Sequence, residues 1–106
     1  MKTENKIQYL TYLDVRIYDQ HLMLIEAKGY SEHERPGVPK LVPAHQIGNY
    51  SEEGILELDF INQPVGDSKK EKVTFDIKIV IDLGKLPDNL MGVKVIAEEN
   101  ADIILI

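Results

Sequence analysis

The sharpest regularity in the chain is VTFDIKIVIDL, residues 73–83. Val73, Phe75, Ile77, Ile79, Ile81 and Leu83 are apolar at every odd position, while Thr74, Asp76, Lys78 and Asp82 fall between them. Successive side chains of a strand point to opposite sheet faces, so a period of two predicts a long strand with one buried and one wet face. A wet face favours antiparallel pairing, because parallel sheets are covered on both sides. Val80 interrupts the polar row and is expected to meet a neighbouring strand or a partner.

The same alternation recurs more weakly elsewhere. From Ile7 to Ile17, Leu13, Val15 and Ile17 alternate with Asp14 and Arg16; Leu10, Leu13 and Ile17 also fit helical spacing, but the density of tyrosine, threonine and valine suits a pleated surface. Asp19-Gln20 is then a tight turn into a second strand, HLMLIEA, residues 21–27, although neither residue is the glycine such turns prefer. Residues 55–61, ILELDFI, set Leu56, Leu58 and Phe60 against Glu57 and Asp59 and predict another half-buried strand. GVKVIAE, residues 92–98, and the terminal DIILI complete the set, with EENA turning between them. An apolar last strand is expected to be paired inside a sheet, since a free one invites aggregation.

Between these strands lie turn signals. Pro36, Gly37, Pro39 and Pro43 deny ladder donors, so residues 29–43 are expected to form a loop or irregular edge. Pro64, Gly66, Asp67 and Ser68 mark residues 62–72 as a connecting turn, and GKLPDNLMG separates the long strand from the next. Six or seven short strands with no internal repeat predict a single all-β domain over residues 1–106. It is expected to be an antiparallel two-sheet sandwich of immunoglobulin or fibronectin III-like layout, with a small barrel or jelly roll as the alternative. Leu86-Pro87 followed by Val93, Val95 and Ala97 resembles the crossover into the penultimate strand of fibronectin type III domains, with Met91 where that family commonly has tyrosine. The resemblance spans about a dozen residues and implies topology alone.

Composition narrows the functional field. The 106 residues, 43% hydrophobic and 28% charged, suit one globular domain. A net charge of −6 with scattered basic residues argues against a nucleic-acid partner, which clustered lysine and arginine would bind. There are no cysteines, which excludes disulfides, thiolate metal sites and cysteine nucleophiles. The N-terminus lacks the apolar core of a secretory signal and no segment has the length of a membrane span, so a cytoplasmic protein is expected, an extracellular module cut from a longer chain being the alternative.

Candidate chemistry concentrates in SEHERPGVPK, residues 31–40, and just beyond it. His33 and His45 lie twelve positions apart and, with Arg35 and Tyr50, are the candidate binding residues of a small ligand-binding protein or enzyme using residues 31–50. A metal is not expected there: the paired H-x-H of a cupin is missing, and Arg35 adds a repelling charge beside His33. His21, His33 and His45 are candidate bases and Ser31, Ser51 and Ser68 candidate nucleophiles, yet none stands in a nucleophile elbow. No glycine-rich phosphate loop occurs, and no cofactor is expected. Glu98, Asn100 and Asp102 have the alternate spacing that opens a calcium loop, without its glycine or closing glutamate; a hairpin turn explains them. Asn49-Tyr50-Ser51 fits a glycosylation sequon.

Tyrosine, with its large contact area and polar tip, suits recognition surfaces. Tyr12 and Tyr18 share the face of Asp14 and Arg16 if the first segment is a strand. The expected function is therefore a non-enzymatic binding or assembly module. It would act on a protein partner or on itself, with Tyr12 and Val80 on the interaction surface.

Overall fold

The computed structural model describes residues 5–44, 54–67, 69–86 and 90–106. These residues contain eight strands: β1 (Asn5–Lys6), β2 (Tyr9–Tyr18), β3 (Leu22–Glu34), β4 (Gly37–Pro43), β5 (Ile55–Pro64), β6 (Glu71–Asp82), β7 (Gly92–Ile96) and β8 (Ala101–Leu105). A 3-10 turn, Leu83–Lys85, follows β6, with the Asp82 carboxylate accepting from the Gly84 N–H at its start.

The strands form two sheets. In the smaller, β3 lies between β2 and β6, antiparallel to both. In the larger, β4 runs along one edge of β5, while β1 and β7 share the other edge end to end and β8 pairs with β7. The two-layer all-β sandwich read from the alternation is what the chain adopts. One ladder departs from wholly antiparallel pairing: β5 and β7 are parallel, because the chain visits the smaller sheet as β6 between them.

Period two places the core as expected. Met23, Ile25 and Ala27 on β3 face Leu56, Leu58 and Phe60 on β5 and Val93 and Val95 on β7, all buried in one cluster. Phe75 joins that cluster, whereas Val73, Ile77, Ile79 and Ile81 point the same way from β6 but remain half-exposed, since β6 is the outermost strand of its layer. Gly29 on β3 is closely packed on both sides: a Cβ there would run into the Tyr9 carbonyl oxygen and lie 2.9 Å from the Phe60 ring.

The layers are stitched together at one corner. The Asn100 side chain, in the turn between β7 and β8, donates from Nδ2 to the Leu10 carbonyl and accepts at Oδ1 from the Leu10 N–H, each at 2.8 Å. Beside it, the Glu98 and Glu99 N–H groups donate to the Ile7 and Gln8 carbonyls. Glu98 to Asn100 thus form the expected turn, and their polar groups serve the backbone.

Asp19 and Gln20 close the β2–β3 hairpin, both with positive φ (50° and 61°), the conformation a tight hairpin turn requires and one that asparagine and aspartate tolerate better than most residues. Of the loop or irregular edge expected over residues 29–43, the loop is confined to residues 35–36, and the edge forms as a regular strand over 37–43. β3 continues to Glu34, a turn occupies Arg35-Pro36, and β4 is a regular strand. The prolines fit because β4 is an edge. The hydrogen bonds Ala44 N–H to Glu57 carbonyl and Val65 N–H to Pro36 carbonyl show that even-numbered residues of this strand face β5. Pro39 and Pro43 therefore have their missing donors on the outer side, where no ladder bond is lost.

Candidate functional site

Ser31 to Arg35 end β3 and enter the turn, and the polar atoms there mostly serve the backbone. Ser31, buried, accepts at Oγ from the Gln8 N–H, and Gln8 in turn accepts at Oε1 from the Glu32 N–H, both at 2.9 Å. Glu34, also buried, accepts from the Arg35 N–H. Asn62, fully buried on β5, donates to the Arg35 carbonyl and fixes the turn from below. Its Oδ1 lies where a Cβ on Gly37 would fall, so that position takes glycine.

His33 is exposed and borders an open, polar depression with Asn5, Lys6, Gln8 and Glu32. Arg35 is exposed too but does not line it. His45 and Tyr50, with Ser51 and Ser68, lie outside the described residues. Among the described residues no three histidine, aspartate or glutamate side chains converge as metal ligands would. His21 is exposed beside the β2–β3 turn, far along β3 from His33.

Tyr12 and Val80 do share a surface, the outer face of the smaller sheet. Its cross-strand rows follow from the register. Tyr12 stands beside Lys28 and then Asp76; Asp14 beside Glu26 and Lys78; Arg16 beside Leu24 and Val80; Tyr18 beside Leu22 and Asp82. Val80 is 62% exposed, Tyr12 42% and Leu22 40%. The middle of the face is charged and internally paired: Arg16 Nε lies 2.6 Å from Asp14, and Lys28 approaches both Glu26 and the Tyr12 ring. The hydrogen bond that Arg16 donates to Asp14, helped by Tyr18, raises the Arg16 pKa and keeps it charged. The end nearest the β2–β3 turn is apolar, where Tyr18, Leu22, Leu24 and Val80 adjoin.

The Tyr12 and Val80 rows are offset by four residues of about 3.3 Å each, with the Asp14 row between them, so the two are parts of one face without being neighbours. Leu22 and Leu24 are the residues of this outer face that sequence reasoning missed. They alternate with buried Met23 and Ile25 inside the run LMLI, which reads as continuously apolar and gives no parity. Their outward direction follows only from pairing with Val80 and Asp82.

Among the described residues no helix is long and apolar enough to cross a membrane. Comparison with family models, with curated proteins and with solved structures finds no match to the chain.

Proposed function

We propose that the chain is a non-enzymatic β-sandwich module that binds or assembles through protein–protein contacts, using the outer face of the smaller sheet where it reaches the β6 edge. The observation that carries this reading is the exposure of Val80 on a strand whose outer edge pairs with no other strand among the described residues. Open edges supply ladder hydrogen bonds, and alternate side chains beside them supply selectivity. Tyr18, Leu22 and Leu24 extend the apolar contact area around Val80.

Native mass spectrometry of the purified protein tests the reading, because one spectrum reports both subunit number and bound small molecules. The expected species contains more than one subunit and no adduct, and Val80→Asp shifts it toward the single subunit. A monomer carrying a metal ion or an organic molecule would overturn the proposal and direct attention to His33 and the depression beside it.

A further inference from the structure

The exposed edges of the two sheets are not alike. On β4, Pro39 and Pro43 remove two of the donors that would point outward and interrupt the edge. On β8, Asp102 Oδ1 accepts from the Ile103 N–H at 2.9 Å, a group that faces away from β7. On β2, a bulge between Leu10 and Tyr12 breaks the edge, and Asn100 occupies the Leu10 backbone groups. β6 has none of these devices. From Val73 to Asp82 it carries no proline and no bulge. The Leu83 N–H donates to the His21 carbonyl, which sets odd-numbered residues of β6 toward β3 and leaves the N–H and C=O groups of even-numbered residues on the open side.

The side chains along this edge have a self-complementary order. On the outer face stand Lys72, Thr74, Asp76, Lys78, Val80 and Asp82. Resting on the proposed binding-and-assembly reading, we infer that β6 pairs antiparallel with β6 of a second copy of this chain, about a two-fold axis through Ile77. Residue pairs across that axis are Lys72 with Asp82, Thr74 with Val80, and Asp76 with Lys78, each occurring twice. On the inner face Val73 meets Ile81, the buried Phe75 meets Ile79, and Ile77 meets itself, covering the Val73, Ile77, Ile79 and Ile81 side chains that β6 leaves half-exposed in one copy.

The charges select this register. A step of two residues in either direction sets Asp76 against Asp76 or Lys78 against Lys78. A step of four sets Lys72 against Lys78 or Asp76 against Asp82. A step of one puts the polar face of one copy beside the apolar face of the other. Like charges directly opposite one another are unfavourable, and opposite charges favourable, on a sheet surface. The chosen register also continues the charge alternation already present: Asp76 would lie between Lys28 of its own copy and Lys78 of the second, and Lys78 between Glu26 and the second copy's Asp76. Among the described residues neither Asp76 nor Lys78 forms an ion pair within a single copy. Val80, opposite Thr74, becomes part of a β-branched cross-strand pair, which accounts for its place in an otherwise polar row.

Sedimentation equilibrium at low salt tests the register. The unmodified chain is expected to dimerise, and Asp76→Lys or Lys78→Asp alone to weaken the dimer about tenfold or more, since each converts both symmetric pairs from attraction to repulsion. An equimolar mixture of the two variants is expected to associate as tightly as the unmodified chain, because each supplies the charge the other has lost. Melting curves show that each variant is folded. A ligand-free monomer at high concentration would overturn the inference, as would a dimer indifferent to both variants or a mixture that fails to recover. A dimer indifferent to the variants leaves the assembly reading standing on another surface, whereas a monomer with a bound ligand ends both.

Discussion

Removing the Asn100 amide should weaken the whole domain, although the residue itself is exposed. The two bonds from this side chain, one to the Leu10 N–H and one to its carbonyl, join positions 90 residues apart and connect the β7–β8 turn to the edge of the other sheet. In Asn100→Ala both bonds are lost. Each is worth about 1 kcal/mol net, which sets a floor of about 2 kcal/mol; if water fails to reach the Leu10 backbone, the two unpaired groups bring the loss to about 4 kcal/mol. Against a typical domain stability of about 5–15 kcal/mol this is a large share. In equilibrium urea unfolding the midpoint should fall by on the order of 1 M, with an unchanged slope. Asn100→Asp is the more discriminating variant. It keeps an acceptor for the Leu10 N–H but turns a second oxygen toward the Leu10 carbonyl, so at neutral pH it should be no better than alanine. Protonating that carboxyl restores a donor, and the folded state then holds the proton more tightly than the unfolded one. The deficit should shrink as pH is lowered through the carboxylate range. An alanine variant within about 0.5 kcal/mol of the parent, the scatter of ordinary surface changes, would show that the corner is not held by this amide.

Two further outcomes follow from close packing and from charge. Gly29→Ala should cost at least about 3 kcal/mol or prevent folding, because its Cβ would meet the Tyr9 backbone rather than a movable side chain; thermal unfolding compared with an exposed alanine substitution checks this. Lost hydration, reinforced by the carboxylates of Glu32, Glu99 and Glu98 and by Tyr30, pushes the Tyr9 phenol above its ordinary value of 10.0. The folded state thus retains this proton more tightly, so the associated stability is intact below pH 10 and is lost as pH rises through the raised value. Tyr9→Phe should flatten the alkaline fall in melting temperature, and an unchanged fall would assign it to other groups.

What the sequence revealed depended on how local the determining physics is. The odd-even alternation of residues 73–83 specified both strand and faces, because parity along one strand needs no partner to be read. The Asp19-Gln20 turn was legible from the strands on either side of it. Over residues 29–43 the edge was legible but its regularity was not, because proline excludes pairing on one side only. Pro39 and Pro43 have the same parity, and that was the available sign of an edge strand. The Asn100 bridge left no trace, its partner being 90 positions away. At the candidate site, Val80 was visible as an interruption of a pattern, and Tyr12 as an outward aromatic. Leu22 and Leu24 were hidden in an apolar run whose parity only β6 defines. His33 and Arg35 are exposed at the β3–β4 turn, and Ser31, Glu34 and the Asn62 Nδ2 beside them hold backbone groups.

The two outward prolines of β4 have a bearing on how many copies could ever join. A sheet that is adhesive on every border can recruit without end, as fibres do, whereas one adhesive border used head to head with its own image is consumed in the first encounter. With donors missing at Pro39 and Pro43, growth on the β4 flank meets an interrupted template. Any assembly seeded at β6 would then finish as a closed pair rather than an open filament, and the chain could remain dispersed at concentrations where a sandwich with unguarded borders would precipitate.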